Sequence, residues 1–210
     1  MQSSFRLPRV YPLTDVQLSG LSHADQVQLL SQGGASLIQL REKQMPALEF
    51  YKQAKAAVAV AEREGVQLIV NDRVDLALAV GAQGVHLGQD DMPPEAARRL
   101  LGVEAIIGYS THTAEQVLSA LTLPIDYIAI GPIFQTTTKT DTSPVLGLDG
   151  LRAVRRATGE FQLVAIGGIT RDNAADVIAA GADSIAVISA LLSETDHMTD
   201  KTQAFIDSLR

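Results

Sequence analysis

The sequence predicts a single-domain α/β protein with the architecture of a (β/α)₈ TIM barrel. Short β-rich apolar runs alternate with longer helical patterns along all 210 residues, and this alternation indicates parallel βαβ units. Eight such units favour a closed barrel. The turns that begin at Gly34, Gly81 and Gly181 share one pattern, in which a glycine ends a helix in the left-handed region before the next strand.

The expected elements follow from this alternation. The predicted strands are residues 10–14, 37–41, 67–71, 84–87, 105–109, 127–130, 163–166 and 184–188. The predicted helices are residues 24–32, 47–64, 75–80, 94–101, 114–121, 148–157, 173–180 and 199–208, with a short helix at 190–194. Since no linker or charge block interrupts the chain, we expect residues 1–210 to form one domain, with residues 1–8 as an N-terminal extension.

Composition excludes several classes of protein. The sequence has no cysteine, which excludes disulfides, thiolate metal sites and cysteine nucleophiles. A net charge of −7 argues against a general nucleic-acid binder. The first residues lack the apolar segment of a signal peptide, and no apolar run approaches the ~20 residues of a membrane span. We therefore expect a cytoplasmic protein without nucleic-acid or membrane partners; the sequence does not specify an oligomeric state.

The end of the second predicted strand is rich in polar side chains. Gln39, Arg41 and Lys43 alternate along the chain, so on a strand they share one face. Arginine offers a planar fork to a phosphate and lysine offers a point charge. These residues therefore predict an anion clamp, and the alternative is a solvated strand end with ion pairs to Glu42.

Two carboxylates follow neighbouring predicted strands. Asp72 comes directly after the third strand, beside Asn71, and Asp91 follows the fourth strand. Carboxylates combined with substrate phosphate oxygens suit Mg²⁺. Each aspartate can equally be the N-cap of the next helix, and both alternatives stay open. Asp75 is interpreted as such a cap, and Arg73 as the partner of a carboxylate.

Ser110 and the histidines are interpreted separately. Ser110 stands at the end of the fifth strand and can donate to a phosphate, although helix capping is its alternative role. His112 is a candidate base without a specified partner. His86 is expected to be a hydrogen-bonded core residue, whereas His23 and His197 are interpreted as surface residues.

The loop after the sixth strand contains hydroxyls and a lysine. Thr136, Thr138 and Lys139 belong to the polar stretch 136–145, the best candidate for a mobile loop. Such a loop suits a negatively charged ligand, and a plain surface loop is the alternative.

A second phosphate site is predicted from the last two strands. Gly167 and Gly168 follow the seventh strand, and glycines let backbone N–H groups approach an anion closely. Ser189 follows the eighth strand and can open a short helix that points at the same anion. Loops at these places bind phosphate in many barrels; the alternative is a tight strand-to-helix turn.

Taken in order, these motifs resemble the thiamine phosphate synthase family. The matching segments are Gln39-Leu40-Arg41-Glu42-Lys43, Asn71-Asp72-Arg73, Gly84-Val85-His86-Leu87-Gly88-Gln89-x-Asp91, Gly108-x-Ser110-x-His112, Gly131-Pro132-Ile133-Phe134 with Thr136-x-Thr138-Lys139, Ala165-Ile166-Gly167-Gly168-Ile169 and Ile188-Ser189. The resemblance implies condensation of 4-amino-5-hydroxymethyl-2-methylpyrimidine diphosphate with 4-methyl-5-(2-hydroxyethyl)thiazole phosphate. It implies a dissociative route, with thiamine phosphate and diphosphate as products.

The resemblance also implies roles for individual residues. The pyrimidine diphosphate would be held by Gln39, Arg41, Lys43, Asn71, Ser110 and Lys139, of which Arg41, Lys43, Ser110 and Lys139 would be catalytic. The thiazole phosphate would be held by Thr136, Thr138, Gly168, Ile188 and Ser189. Mg²⁺, the expected cofactor, would be bound by Asp72 and Asp91.

Three other functions fit the same fold. A thiazole tautomerase resembles this chain but needs a proton-transfer residue and no grip on a diphosphate. A phosphate-sugar isomerase or epimerase needs only one phosphate site. A ligand-binding barrel without activity is the third alternative. Lys43, Asp91 and Lys139 favour the synthase over the tautomerase.

Overall fold

The computed structural model describes residues 5–136 and 144–210, and these form one eight-stranded parallel barrel. Its strands are β1 (Val10–Pro12), β2 (Leu37–Leu40), β3 (Gln67–Asn71), β4 (Gly84–Leu87), β5 (Ile106–Thr111), β6 (Tyr127–Ile130), β7 (Leu163–Ile166) and β8 (Ser184–Val187). Neighbouring strands pair in the order β1-β8-β7-β6-β5-β4-β3-β2. The predicted TIM-barrel fold is confirmed, with strand ends that differ from the prediction by one or two residues.

The barrel closes between β1 and β2. There, Leu13 and Gln39 form a single parallel bridge, and the backbone N–H of Thr14 donates to the carbonyl of Gln39 at 2.9 Å. The Thr14 hydroxyl also accepts from the backbone N–H of Arg41 at 3.2 Å. The strand pair with the fewest backbone bridges is therefore joined at Gln39 and Arg41, two residues of the predicted anion clamp.

Helices surround the barrel and connect its strands. They are α1 (Val16–Ser19), α2 (His23–Gln32), α3 (Ala47–Glu64), α4 (Val74–Val80), α5 (Pro94–Leu101), α6 (Ala114–Ala120), α7 (Gly147–Thr158), α8 (Arg171–Ala179), α9 (Ser189–Leu192) and α10 (Met198–Asp207), with a 3₁₀ helix at Thr195–His197. The sequence did not predict α1 or the 3₁₀ helix, because single turns leave no hydrophobic period. No described helix is long and apolar enough to cross a membrane.

The barrel interior is aliphatic with a polar layer inside it. Apolar strand residues such as Ile38, Ile69 and Ile128 are fully buried, which suits strands covered on both faces. At the N-terminal end, Phe5 packs against Tyr127 with ring centroids 6.2 Å apart. The predicted N-terminal extension thus contributes a side chain to the core.

Two ion pairs tie the N-terminal ends of the strands together. Arg98 of α5 donates to the carboxylate of Asp126 at 2.8 Å, and the same oxygen of Asp126 accepts the backbone N–H of Ile107 at 2.8 Å. Arg155 of α7 and Asp183 repeat this arrangement two strands further on, with the N–H of Leu163. Each aspartate therefore links a helix to two adjacent strands.

We predict that Asp126→Ala lowers the free energy of unfolding by about 2–4 kcal/mol. The change removes the carboxylate paired with the largely buried guanidinium of Arg98, which keeps only carbonyl acceptors, and it leaves the backbone N–H of Ile107 without its acceptor. Asp149→Ala is the control, since Asp149 pairs with Arg152 but its side chain is 98% exposed. That variant should lose less than about 1 kcal/mol. Urea unfolding of both variants measures the difference, and equal losses would contradict it.

Candidate functional site

One lysine and two aspartates meet at the C-terminal rim beyond β2, β3 and β4. The Lys43 ammonium lies 2.6 Å from the carboxylate of Asp72. Asp72 follows β3 with its backbone in the left-handed region, at φ 62°, a conformation that aspartate tolerates better than most residues. The Asp91 carboxylate accepts the backbone N–H of Gly88 at 2.7 Å.

The structure excludes one of the two alternatives for these aspartates, that of a helix cap. Neither Asp72 nor Asp91 caps a helix: α4 begins after Arg73 and α5 after Pro93, both without a side-chain cap. The cap interpretation of Asp75 is wrong, because Asp75 lies inside the first turn of α4. It receives two hydrogen bonds from Arg73, at 2.8 and 2.6 Å, so Arg73 does pair with a carboxylate.

The two rim aspartates form an electrostatically unfavourable pair. Burial raises the pKa of Asp91, and the adjacent Asp72 carboxyl raises it further, while the Gly88 N–H and Lys43 act in the opposite direction. Within residues 5–136 and 144–210, no group of three or more acidic or histidine side chains is arranged to hold a metal. The rim thus offers two carboxylates to a cation, and further ligands would have to come from elsewhere.

Arg41 and Lys43 bind different carboxylates, and neither residue lies within β2, where a shared strand face was expected. Because β2 ends at Leu40, alternation no longer fixes the direction of the next side chains. Arg41 donates to Asp15 at 2.7 Å, and both side chains are mostly buried. Asp15 also caps α1 by accepting the backbone N–H of Leu18. Sequence reasoning missed Asp15, although its place directly after the first predicted strand, residues 10–14, was an available clue.

Glu42 organises the loop that presents Lys43. Its carboxylate accepts the backbone N–H groups of Lys43, Gln44 and Met45 at 2.8, 2.8 and 3.1 Å. Burial alone would raise the pKa of Glu42, but these hydrogen bonds hold it below its ordinary value. The predicted alternative of ion pairs from Arg41 and Lys43 to Glu42 is therefore not what this carboxylate does.

His23 is fully buried, so its interpretation as a surface residue is wrong. Its Nδ1 lies 2.7 Å from the Thr14 hydroxyl, and its Nε2 lies 3.7 Å from Glu42. Its ring packs against Phe50 of α3. This burial depends on the packing of α2 on α3, which local sequence does not reveal. His197 is exposed, as expected.

Two predicted residues of the diphosphate site lie deep in the rim. The Gln39 side chain is buried and its amide donates to the Tyr11 hydroxyl at 3.1 Å. The amide nitrogen of Asn71 is also buried and has no hydrogen-bond partner among the described residues. Asn71 therefore has a buried amide donor that no described residue satisfies.

Ser110 ends its strand in contact with a core histidine. Its hydroxyl lies 2.8 Å from His86 Nε2, and His86 is buried as expected. Ser110 does not cap a helix, because Thr113 takes that place before α6. The candidate base His112 lies with its Nδ1 3.0 Å from the carbonyl of Gly131.

A cavity of about 310 Å³ opens between the ends of β7 and β8. Thr136, Gly168, Ile188 and Ser189 all line it, and all four were predicted for the thiazole phosphate. Within the described ranges, its lining does not include the Lys43 and Asp72 pair. The structure thus separates the predicted residues into two groups; Thr138 and Lys139 lie outside the described residues.

Gly168 has a packing role in addition to its place in the cavity. It adopts φ 63°, and a Cβ there would lie 2.5 Å from the carbonyl oxygen of Gln135 and 2.7 Å from Cβ of Phe134. The missing side chain lets the loop after β6 lie directly on the loop after β7. The packing of these two loops is therefore sufficient reason for a glycine here.

Comparison with known proteins identifies close relatives. A family model described as thiamine monophosphate synthase matches residues 10–191. The thiamine-phosphate synthase of Albidiferax ferrireducens is 52% identical, over 90% of this chain and 86% of that protein. The thiamine-phosphate synthase of Chloroflexus aurantiacus is 49% identical, over 90% and 87% of the two chains. The solved thiamine phosphate pyrophosphorylase from Pyrococcus furiosus superposes with a TM-score of 0.86 at 36% identity, covering 96% of this chain and 95% of that chain.

We predict that Gly168→Ala costs about 1–3 kcal/mol more than Gly65→Ala. Gly65 has nearly the same backbone conformation, φ 69°, but its added Cβ would meet nothing within 4 Å. Gly65→Ala thus measures the penalty for the left-handed conformation, about 1–2 kcal/mol, and Gly168→Ala adds the overlap with the neighbouring loop. Urea unfolding gives both values; equal losses would show that the two loops are not tightly packed.

Proposed function

Because the chain belongs to the thiamine monophosphate synthase family, we propose that it is a transferase that forms thiamine phosphate. Its substrates would be 4-amino-5-hydroxymethyl-2-methylpyrimidine diphosphate and 4-methyl-5-(2-hydroxyethyl)thiazole phosphate, and diphosphate would leave. The observation that carries the proposal is the presence of two distinct polar groups on one rim. One contains Lys43, Asp72 and Asp91, and the other lines the cavity at Gly168 and Ser189.

The first group fits a metal-bound diphosphate. Asp72 and Asp91 supply two carboxylates, and Mg²⁺ commonly takes one or two carboxylates with the remaining positions filled by phosphate oxygens and water. Burial and, to a smaller extent, the adjacent Asp72 carboxyl raise the pKa of Asp91, and a bound cation would offset both effects. Mg²⁺ would supply positive charge to the departing diphosphate oxygens.

The residues of this chain would then stabilise charge on the leaving group. As the C–O bond of the pyrimidine substrate breaks, negative charge grows on the diphosphate, and preorganised cations lower the barrier. Lys43 is half-exposed beside Asp72, so its ammonium can shift toward that charge. Arg41 is held by Asp15 and would act from a fixed position. Asn71 would donate its amide, and we assign Lys139 to the same diphosphate.

The second group fits a phosphate monoester. The cavity beside β7 and β8 is lined by Gly168, Ile188 and Ser189, which offer backbone N–H groups and a hydroxyl. Thr136 lines the same cavity. We assign this cavity to the thiazole phosphate, with Thr138 as a further contact. Around the closed barrel only β1 lies between β2 and β8. The two sites would therefore open onto neighbouring parts of the rim, where the thiazole nitrogen would attack the carbon that loses diphosphate.

The direct test is to incubate the purified protein with both substrates and Mg²⁺ and to follow thiamine phosphate by chromatography. We expect a product that needs both substrates and is formed together with one equivalent of diphosphate. Isomerisation of a thiazole substrate without any diphosphate release would instead support the tautomerase. If neither reaction gave a product, the proposal would be contradicted, and a ligand-binding barrel without activity would be the remaining alternative.

Asp91→Asn is predicted to weaken metal use without loss of the fold. The amide oxygen can still accept the Gly88 N–H, but one negative charge at the cation site is lost. The Mg²⁺ concentration for half-maximal activity should rise at least about tenfold, the effect of losing roughly 1.4 kcal/mol. Asp90→Asn is the matched control, since Asp90 is an exposed neighbour. An unchanged Mg²⁺ requirement in Asp91→Asn would remove this residue from the metal site.

Substitutions in the two groups should affect different substrates. Lys43→Gln should lower kcat or raise KM for the pyrimidine diphosphate, because it removes a cation from that group. Ser189→Ala should raise KM for the thiazole phosphate several-fold, because a hydrogen bond to a charged group is lost. Steady-state kinetics with each substrate varied in turn separates the two effects. If both variants impaired the same substrate equally, the two-site assignment would be wrong.

A further inference from the structure

A continuous chain of hydrogen bonds crosses the barrel interior beneath the rim. The Gln39 amide nitrogen donates to the Tyr11 hydroxyl at 3.1 Å, and the Tyr11 and Tyr127 hydroxyls lie 3.0 Å apart. The Tyr127 hydroxyl lies 3.0 Å from His86 Nδ1, and His86 Nε2 lies 2.8 Å from the hydroxyl of Ser110. The chain thus connects β2, β1, β6, β4 and β5.

The first donor fixes the direction of every hydrogen bond that follows. An amide nitrogen can only donate, and each phenol has one hydrogen to give. If Tyr11 accepted from both Gln39 and Tyr127, its own hydrogen would be buried without an acceptor, because these two are the partners that the structure describes for its hydroxyl. The hydrogen of Tyr11 therefore goes to Tyr127, and the hydrogen of Tyr127 then goes to His86 Nδ1. A neutral imidazole that accepts at Nδ1 carries its hydrogen on Nε2. His86 therefore donates to Ser110.

The phenols remain donors across the physiological range of pH. Burial raises the pKa of Tyr11 and of Tyr127 well above the ordinary value for tyrosine. Both side chains are essentially inaccessible to solvent. Neither loses the hydrogen on which the direction of the chain depends.

Ring contacts and a glycine hold the side chains of this hydrogen-bond chain in place. His86 stacks on Tyr127 with ring centroids 5.5 Å apart, and Tyr11 meets Tyr127 edge to face at 6.0 Å. Gly108 provides the room: a Cβ there would lie 2.1 Å from the ring of Tyr127 and 2.5 Å from His86 Nδ1. The contact between these two rings therefore requires glycine at this position.

We propose that Tyr11, Tyr127 and His86 are positioning residues that hold Ser110 as a hydrogen-bond donor to an anionic substrate oxygen. Because the Ser110 oxygen accepts from His86, its own hydrogen is directed away from the core, where the structure describes no other partner for it. A diphosphate oxygen can only accept, so it requires this orientation. The assignment of the acceptor rests on the function proposed above; the direction of the chain does not.

Nitrogen NMR of the protein labelled with ¹⁵N-histidine tests the direction without any substrate. The sequence has four histidines, and the spectrum of His86→Gln assigns the signals of His86. In the wild-type protein we expect His86 to carry its hydrogen on Nε2. In Tyr11→Phe the Tyr127 hydroxyl no longer receives a hydrogen bond from residue 11, so it can accept one from His86, and we expect part of His86 to carry its hydrogen on Nδ1. A wild-type protein with the hydrogen on Nδ1 would overturn the proposal.

Kinetics tests whether the chain acts through Ser110. Tyr11→Phe should lower kcat about 5- to 10-fold, as expected for a misdirected hydrogen bond to a charged group. In the Ser110→Ala background the same change should have no further effect beyond about twofold. Tyr51 lies on α3 and does not belong to the chain of hydrogen bonds, so Tyr51→Phe should leave kcat and the NMR signals of His86 unchanged. Multiplicative losses, or an equal loss in Tyr51→Phe, would overturn the proposal.

The two tests fail in different ways. If the wild-type protein made no thiamine phosphate, the proposed function would be wrong, but the His86 tautomer would still report the direction of the chain. If the protein were active but His86 carried its hydrogen on Nδ1, the proposed function would be supported, and the positioning role of Tyr11, Tyr127 and His86 would be rejected.

Discussion

Closure of the barrel between β1 and β2 is the constraint on which the rim depends. One bridge at Gln39 joins the first and second strands, and the hydroxyl of Thr14 continues it to the backbone of Arg41. This seam lets the Gln39 side chain enter the interior beside Tyr11. It also sets the group around Lys43 two strands away from the cavity beside β8. A different closure would bring together different residues from the same sequence.

Much of this arrangement could be predicted from the sequence because parallel strands all end on the same rim. That rule indicated that Asp72 and Asp91 lie near each other. The sequence left helix capping open as an alternative, which the observed helix starts exclude. It also brought the cavity residues after β7 and β8 together. Buried strands and long amphipathic helices were predictable for a different reason, because their hydrophobic periodicity is a local property of the sequence.

The contacts that the sequence did not predict join residues far apart in the sequence, and a local pattern carries no information about such pairs. Arg41 turns to Asp15 because the strand ends one residue earlier than predicted and the closure supplies a carboxylate there. His23 is buried by helix packing, and glycines such as Gly108 and Gly168 serve side chains or loops from other strands. A motif shows that a glycine stands at a position, but only the tertiary structure shows what occupies the space beside it.

The two arginine–aspartate links at the opposite end have a consequence for how such a barrel can change over time. Asp126 and Asp183 bind helices and strands together at the base, far from the rim that contacts ligands. These links do not involve the loops that determine which molecule is bound. Exchanging a rim loop leaves these links in place, so one base can support new chemistries without first being rebuilt.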